Sequence, residues 1–223
     1  MTTSVTDQIW AVMAPIYDKM LELPFIRELQ DGTLPKEVFA RFVVQDTLYL
    51  EDYGRALALL GSRLGDQEGL MFFAEATTRV INVEREMHGT FLGELGITPE
   101  QMAQAEKIPS VAAYTSWVKQ AVGMGRAHEG LGAVLPCFWV YRDVGRELAR
   151  RGGSPDPVYQ RWIDKYSGEA FGASATAAIE LAGRVGAGLD ERGRAEMVKA
   201  AHLATRYEWM LWSAVYEDER WPV

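Results

Sequence analysis

Between Ala133 and Tyr141 the chain reads Ala-Val-Leu-Pro-Cys-Phe-Trp-Val-Tyr, with no charge anywhere in the run. The nearly all-apolar segment begins at about Leu131 and turns amphipathic only toward Arg151. A helix that is apolar on every side has no face to offer solvent, so it belongs in the middle of a protein with other helices wrapped around it. This segment carries the only cysteine of the chain, Cys137, directly after Pro136. A proline inside a helix frees a backbone carbonyl and bends the axis, which opens space beside neighbouring side chains. Free cysteine is among the most buried residue types, so on packing grounds alone Cys137 reads as a small hydrophobe. Making it reactive requires a nearby base or positive end.

The rest of the chain supplies the wrapping. Trp10, Met13, Tyr17, Met20 and Leu21 mark an amphipathic helix. Pro24 opens a short second one that Gly32 ends, and Pro35 suits the first turn of a third that ends at Gly65. The periodicity predicts a fourth helix over about 66–95, with Met87 and His88 on its apolar face and Gly96 closing it. Ser110 is the expected N-cap of a helix carrying Tyr114 and Trp117. The loop Gly152-Gly-Ser-Pro-Asp-Pro157 separates the apolar segment from a helix bearing Tyr159, Trp162 and Tyr166. An Ala-rich helix over about 173–185 and a last one over about 190–216 complete the chain. Strand-type alternation never persists. The expectation is an all-α, single-domain bundle over residues 1–223, with seven or eight helices.

Composition narrows the function. The net charge of -8 over 223 residues, with no dense Lys/Arg stripe, argues against nucleic acid as a partner. No stretch approaches the roughly 20 apolar residues of a membrane span. The N-terminus lacks the basic and apolar regions of a signal peptide, and one cysteine cannot form an intrachain disulfide, so a cytoplasmic protein is expected. Glu-x-x-His, His-Glu-x-x-His, Cys-x-x-Cys and phosphate-loop motifs are all missing, so no metal and no cofactor is expected. The first histidine is His88, so a haem would lack an axial imidazole from the N-terminal helix.

Two carboxylates fall on apolar helix faces. Phe39, Phe42, Tyr49, Leu50 and Tyr53 share the face of Asp46, and Ala201, Ala204, Leu211, Trp212 and Val215 share that of Glu208. Each acid is either a stripe-edge or ion-paired carboxylate, or a group aimed into the core with a task there. A buried Glu208 would have a raised pKa and could give a proton near neutral pH. A lone thiol, two inward acids and seven Trp, nine Tyr and eight Phe suggest a closed pocket for a small, flat molecule.

Four segments together carry a family resemblance. Phe42-Val-Val-Gln-Asp-Thr-Leu-Tyr-Leu50 continuing to Tyr53, Leu135-Pro-Cys-Phe-Trp-Val-Tyr141, Tyr159-Gln-Arg-Trp-Ile-Asp-Lys-Tyr166 and Tyr207-Glu-Trp-Met-Leu-Trp212 resemble, in order and spacing, the motifs of the thiaminase II (TenA) family. The resemblance implies a haem-oxygenase-like helical bundle without haem, assembled as a homotetramer. It implies hydrolysis of 4-amino-5-aminomethyl-2-methylpyrimidine or thiamin to the hydroxymethylpyrimidine, salvaged for thiamin synthesis. On the matching positions, Cys137 resembles the nucleophile and Asp46 the carboxylate that binds the ring nitrogen and the exocyclic amine. Glu208 resembles the acid at the opposite ring nitrogen, and Tyr49, Tyr114, Tyr141 and Tyr166 the pocket tyrosines. Leu48 departs from the pattern, standing where many relatives carry an aromatic residue. The acidic end Ser213-Ala-Val-Tyr-Glu-Asp-Glu-Arg-Trp-Pro-Val223 has no role in that pattern. Two rival readings share the scaffold: a non-catalytic pyrimidine carrier or regulator, and an oxidoreductase acting on haem or a quinone precursor.

Overall fold

The computed structural model describes residues 3–86 and 91–223, with backbone alone over 83–86. Every element among them is helical: α1 Val5–Met20, α2 Pro24–Asp31, α3 Lys36–Arg63, α4 Gln67–Glu86, α5 Leu92–Glu94, α6 Pro99–Ala103, α7 Pro109–Met124, α8 Ala127–Arg150, α9 Pro157–Ser167, α10 Glu169–Ala187 and α11 Glu191–Tyr216. The boundaries follow local chemistry. Ser4 closes a capping box with Asp7 at the start of α1, and the Asp156 side chain accepts from the amides of Val158 and Tyr159 at the start of α9. Gly32 ends α2 at φ 74°, a left-handed position that suits glycine.

α8 occupies the centre. It packs most extensively on α11 and also touches α9, α10, α7 and α3, while α3 lies along α4 and α1 along α11. Trp10 of α1 stacks on Trp139 of α8 at 5.3 Å, and the Tyr17 hydroxyl donates to the Asp143 carbonyl. From Gly130 to Tyr141 every residue of α8 is buried except Cys137, which is partly open. The apolar run is therefore the core helix that its sequence required, and the thiol is its one exit.

Three expectations need correction. The bundle has eleven helical segments among the described residues rather than seven or eight, with α5 and α6 too short to show a period, and the Ala-rich helix expected from about residue 173 begins at Glu169. The helix expected over 66–95 is described as α4 and, beyond residues 87–90, as α5; Met87 and His88 lie outside the described residues. Ser110 is not the N-cap of α7: Ile108 is, with Pro109 in the first position, and Ser110 lies one step inside the helix. No helix among the described residues is long and apolar enough to cross a membrane.

Candidate active site

Four helices turn large or polar side chains toward the same place, three from α3 and a pair one turn apart from each of the others. α3 offers Asp46 together with Tyr49 and Tyr53, α8 offers Cys137 and Tyr141, α9 offers Trp162 and Tyr166, and α11 offers Glu208 and Trp212. Residues three or four apart share a helix face, so each pair arrives as one unit. The rings interlock. Tyr141 lies 4.9 Å from Tyr166 and 5.3 Å from Trp212, and Trp162 lies 4.8 Å from Tyr166. Tyr49 stacks on Tyr53 at 5.3 Å and on Tyr114 of α7 at 4.9 Å.

A cavity of about 350 Å³ opens beside Cys137. Its walls include four of the seven site residues expected from sequence: Asp46, Cys137, Tyr141 and Tyr166. Glu208, Tyr49 and Tyr114 are not in that wall; they stand behind it, wholly buried. Tyr53, Phe138, Lys165 and Phe171 line the cavity and were not singled out in the sequence. Leu48 does not line it.

Both acids are inside, with Asp46 2% and Glu208 0% exposed. Burial pushes Asp46 up from 3.8 to about 7, against the pull of the Lys165 ammonium. Burial likewise pushes Glu208 up from 4.5 to about 8; the Tyr114 hydroxyl, which donates to Glu208 Oε1 at 2.8 Å, holds it down, and the Asp46 charge adds to the rise. A carboxyl with that affinity is mostly protonated at neutral pH, so it can give a proton and take one back. Burial also raises the Cys137 thiol well above its ordinary value, helped by the Glu208 and Asp46 charges. The Tyr49 and Tyr53 hydroxyls beside the sulfur favour the thiolate and oppose that rise. Tyr53 is anchored there because its hydroxyl donates to the Val134 carbonyl, one turn before the thiol, at 2.8 Å.

The deciding observation is a set of buried polar atoms without a normal hydrogen-bond partner. Among the described residues they are Asp46 Oδ2, Tyr49 Oη, Tyr141 Oη, Trp162 Nε1, Glu208 Oε2 and Trp212 Nε1. All six belong to this one cluster. An unmet buried polar group costs about 1–3 kcal/mol, and folded proteins keep few of them. They lie on α3, α8, α9 and α11; Asp46 and Tyr141 line the cavity itself, and the other four residues lie outside its wall. Donors and acceptors at the edges of aromatic walls match a flat heterocycle whose rim carries both kinds of group. No group of three or more His, Cys, Asp and Glu among the described residues is arranged to hold a metal ion.

The family model described as TENA/THI-4/PQQC matches residues 10–218. The chain belongs to that family. Over 208 residues, 93% of this chain and 93% of the relative, it is 30% identical to an aminopyrimidine aminohydrolase of Halalkalibacterium halodurans. Identity to the aminopyrimidine aminohydrolase of Bacillus subtilis is 29%, over 89% of this chain and 84% of that one. It is also 36% identical, over 84% of its length, to a quarter of the thiamine biosynthesis multifunctional protein ThiED of Corynebacterium efficiens. Among solved structures, a TenA homologue from P. horikoshii OT3 superposes with a TM-score of 0.86 at 25% identity, covering 96% of this chain and 99% of that one. A domain with a heme oxygenase-like fold from Shewanella denitrificans superposes at 0.73 with 16% identity, over 92% of this chain and 89% of that one, which shows the fold alone. The all-α, haem-oxygenase-like architecture expected from the four motifs is the one observed.

Proposed function

We propose that this TenA-family chain hydrolyses 4-amino-5-aminomethyl-2-methylpyrimidine, and thiamin as an alternative substrate, to 4-amino-5-hydroxymethyl-2-methylpyrimidine for reuse in thiamin synthesis. The observation that carries this reading is the single cluster of six unpartnered buried polar atoms, two of them on Asp46 and Tyr141 in the wall of the Cys137 cavity and the other four outside that wall. The names of the relatives that match nearly the whole chain agree with it.

In the proposed reaction Asp46 holds the edge of the ring bearing the exocyclic amine, and Tyr141 and Tyr166 enclose its faces. The raised thiol pKa means that Cys137 rests as S–H, so its proton must move during attack. Glu208 relays it: the sulfur bonds to a ring carbon, Glu208 gives its proton to the neighbouring ring nitrogen, and the thiol hydrogen replaces it on the carboxylate. The ring is then no longer aromatic. Asp46 takes a proton from the exocyclic amine, the electrons run to the methylene carbon, and the protonated amino group leaves as ammonia. Water adds at that carbon through its oxygen: Asp46 returns its proton to the exocyclic nitrogen, and the proton the water sheds is taken up by the departing ammonia as ammonium. Reversal of the first step releases the thiol and restores the aromatic ring. Covalent addition divides one hard displacement into easier steps, and a matched proton relay contributes typically about 10²–10⁴-fold.

The same proposal takes residues 1–223 as one catalytic domain, acting as a cytoplasmic homotetramer. One continuous apolar core running from α1 to α11 supports the single domain. Light scattering tests the tetramer. The decisive measurement of function is ammonia released from the aminomethylpyrimidine, with the hydroxymethyl product formed one for one. Tight binding of that product with no ammonia released would overturn the enzyme and leave a pyrimidine carrier.

A further inference from the structure

The acidic tail beyond α11 reaches back to the start of α7. Glu219 grips one residue with both oxygens: the Ser110 amide donates to Oε2 at 2.8 Å, and the Ser110 hydroxyl donates to Oε1 at 2.9 Å. Ser110 is only 7% exposed. α7 needs this help, because its own N-cap, Ile108, supplies no side-chain cap. A carboxylate at a helix N-terminus satisfies amides that lack an intrahelical partner and faces the positive end of the helix dipole. Gln45, the neighbour of Asp46 on α3, holds the adjoining backbone, accepting from the Ile108 amide at 3.0 Å and donating to the Glu106 carbonyl at 2.9 Å.

The tail is itself held in place. Among the described residues Asp218 is the one non-glycine with positive φ, at 55°, and it turns the chain out of α11. The Glu219 amide then donates to the Ala214 carbonyl at 2.9 Å, and Trp221 Nε1 donates to the Lys107 carbonyl at 2.9 Å. Arg41 of α3 donates to the Val215 carbonyl at 3.1 Å and pairs with Asp218 at 3.5 Å.

Ser110 and Tyr114 lie one turn apart on the same face of α7, and the Tyr114 hydroxyl donates to Glu208 at 2.8 Å. α11 thus meets α7 twice: through Glu208 on Tyr114, and through its own tail on Ser110. We propose that Glu219 is a positioning residue that holds α7 so that the Tyr114 hydroxyl stays on Glu208. This inference rests on the proposed role of Glu208 as proton relay. The groups that face Glu208 are Asp46, Tyr49 and Tyr53 of α3, Tyr114 of α7, Cys137 and Tyr141 of α8, and Tyr166 of α9. Of these, Tyr114 lowers the Glu208 pKa through its hydrogen bond.

The test compares Glu219→Ala, Tyr114→Phe and the double variant with wild type. Losing Glu219 should lower kcat for ammonia release about tenfold with KM changed less than about twofold, since a misplaced catalytic contact costs rate more than binding. It should also move the alkaline limb of the pH profile upward, as Tyr114→Phe should, because the bond that lowers the Glu208 pKa is weakened in the one and lost in the other. In the Tyr114→Phe background the second substitution should cost nothing further. Ser110→Ala, which keeps the amide bond to Glu219, should act in the same direction and less, and serves if Glu219→Ala folds poorly. The carboxyl stretch of protonated Glu208, assigned by its loss in Glu208→Gln, gives a second readout in the infrared that needs no turnover. An upward shift of that titration in Glu219→Ala supports the latch even if ammonia is never released, in which case the proposed reaction alone fails. An unmoved limb or infrared titration, with losses that add in the double variant, overturns the latch and leaves Glu219 a structural cap.

Discussion

Replacing Glu208 with glutamine turns the buried acid into a stability experiment. Glutamine keeps the volume, and its Oε1 can still accept from Tyr114, but it cannot titrate. In the wild-type protein the carboxyl holds its proton up to about pH 8, whereas in the unfolded chain it releases it near 4.5. Between those values the folded state binds the extra proton, so stability falls as pH rises. Its contribution is whole below pH 4.5 and lost by the time pH has passed 8. Each pH unit is worth about 1.4 kcal/mol, so the full window amounts to about 5 kcal/mol, much of the stability of an ordinary domain.

Urea unfolding at pH 5, 6, 7 and 8.5 reads this directly. The stability of Glu208→Gln relative to wild type should climb by about 1.4 kcal/mol per unit up to pH 8 and then level off. Asp46 titrates in both proteins and mostly cancels in the difference. A difference flat with pH, within about 1 kcal/mol, would mean that Glu208 ionises in the folded protein near its ordinary value. The proton relay would then have no proton to give at neutral pH, and the proposed chemistry would go with it. In the same variant kcat should fall by about 10²–10⁴-fold while the affinity for the hydroxymethyl product changes little. Equal losses in both would mark the carboxylate as structural.

Three more outcomes are expected. Cys137→Ala should abolish ammonia release while the unfolding midpoint stays in place, because the thiol borders a cavity rather than packed hydrocarbon; full activity in that variant would reject the nucleophile. Asp46→Asn should weaken product binding in calorimetry by about ten- to hundredfold, the worth of a hydrogen bond to a charged group, about 1.5–3 kcal/mol; unchanged affinity would remove Asp46 from the site. Gly132→Ala would place a Cβ 2.3 Å from the Met197 carbonyl and 3.2 Å from the Ala200 Cβ, prising α8 from α11. A loss of about 1–3 kcal/mol in thermal or urea unfolding is expected, together with lower turnover, since those two helices carry Cys137 and Glu208; an unchanged midpoint would contradict the packing.

The helices were legible because a period of 3.6 persists for several turns in each long one, and the central place of α8 followed from the absence of any polar face. α5 and α6 were not, since three and five residues hold no period. The misreading of Ser110 has the same root at longer range. Its hydroxyl looks like a local cap until Glu219, 109 residues later, is seen to bind it.

The site was legible only in part, and the difference between Asp46 and Trp212 shows why. A carboxylate on an apolar face violates a local rule and can be noticed from spacing alone, as can Glu208. An indole on the same face violates nothing: Trp162 and Trp212 read as core, and what sets them apart is a buried N–H with no partner, a property of the assembled bundle. A weaker sequence signal did exist. Cys137 with Tyr141, Trp162 with Tyr166 and Glu208 with Trp212 repeat one arrangement, a group with a polar tip followed four residues later by a ring with another. Each pair alone is ordinary packing. The recurrence on three helices, facing Asp46 and Tyr49 on a fourth, is what packing alone would not require, because hydrocarbon at those positions would fill the core without leaving six polar atoms unmet. The cluster is therefore better explained by what it binds than by the stability of the bundle that holds it.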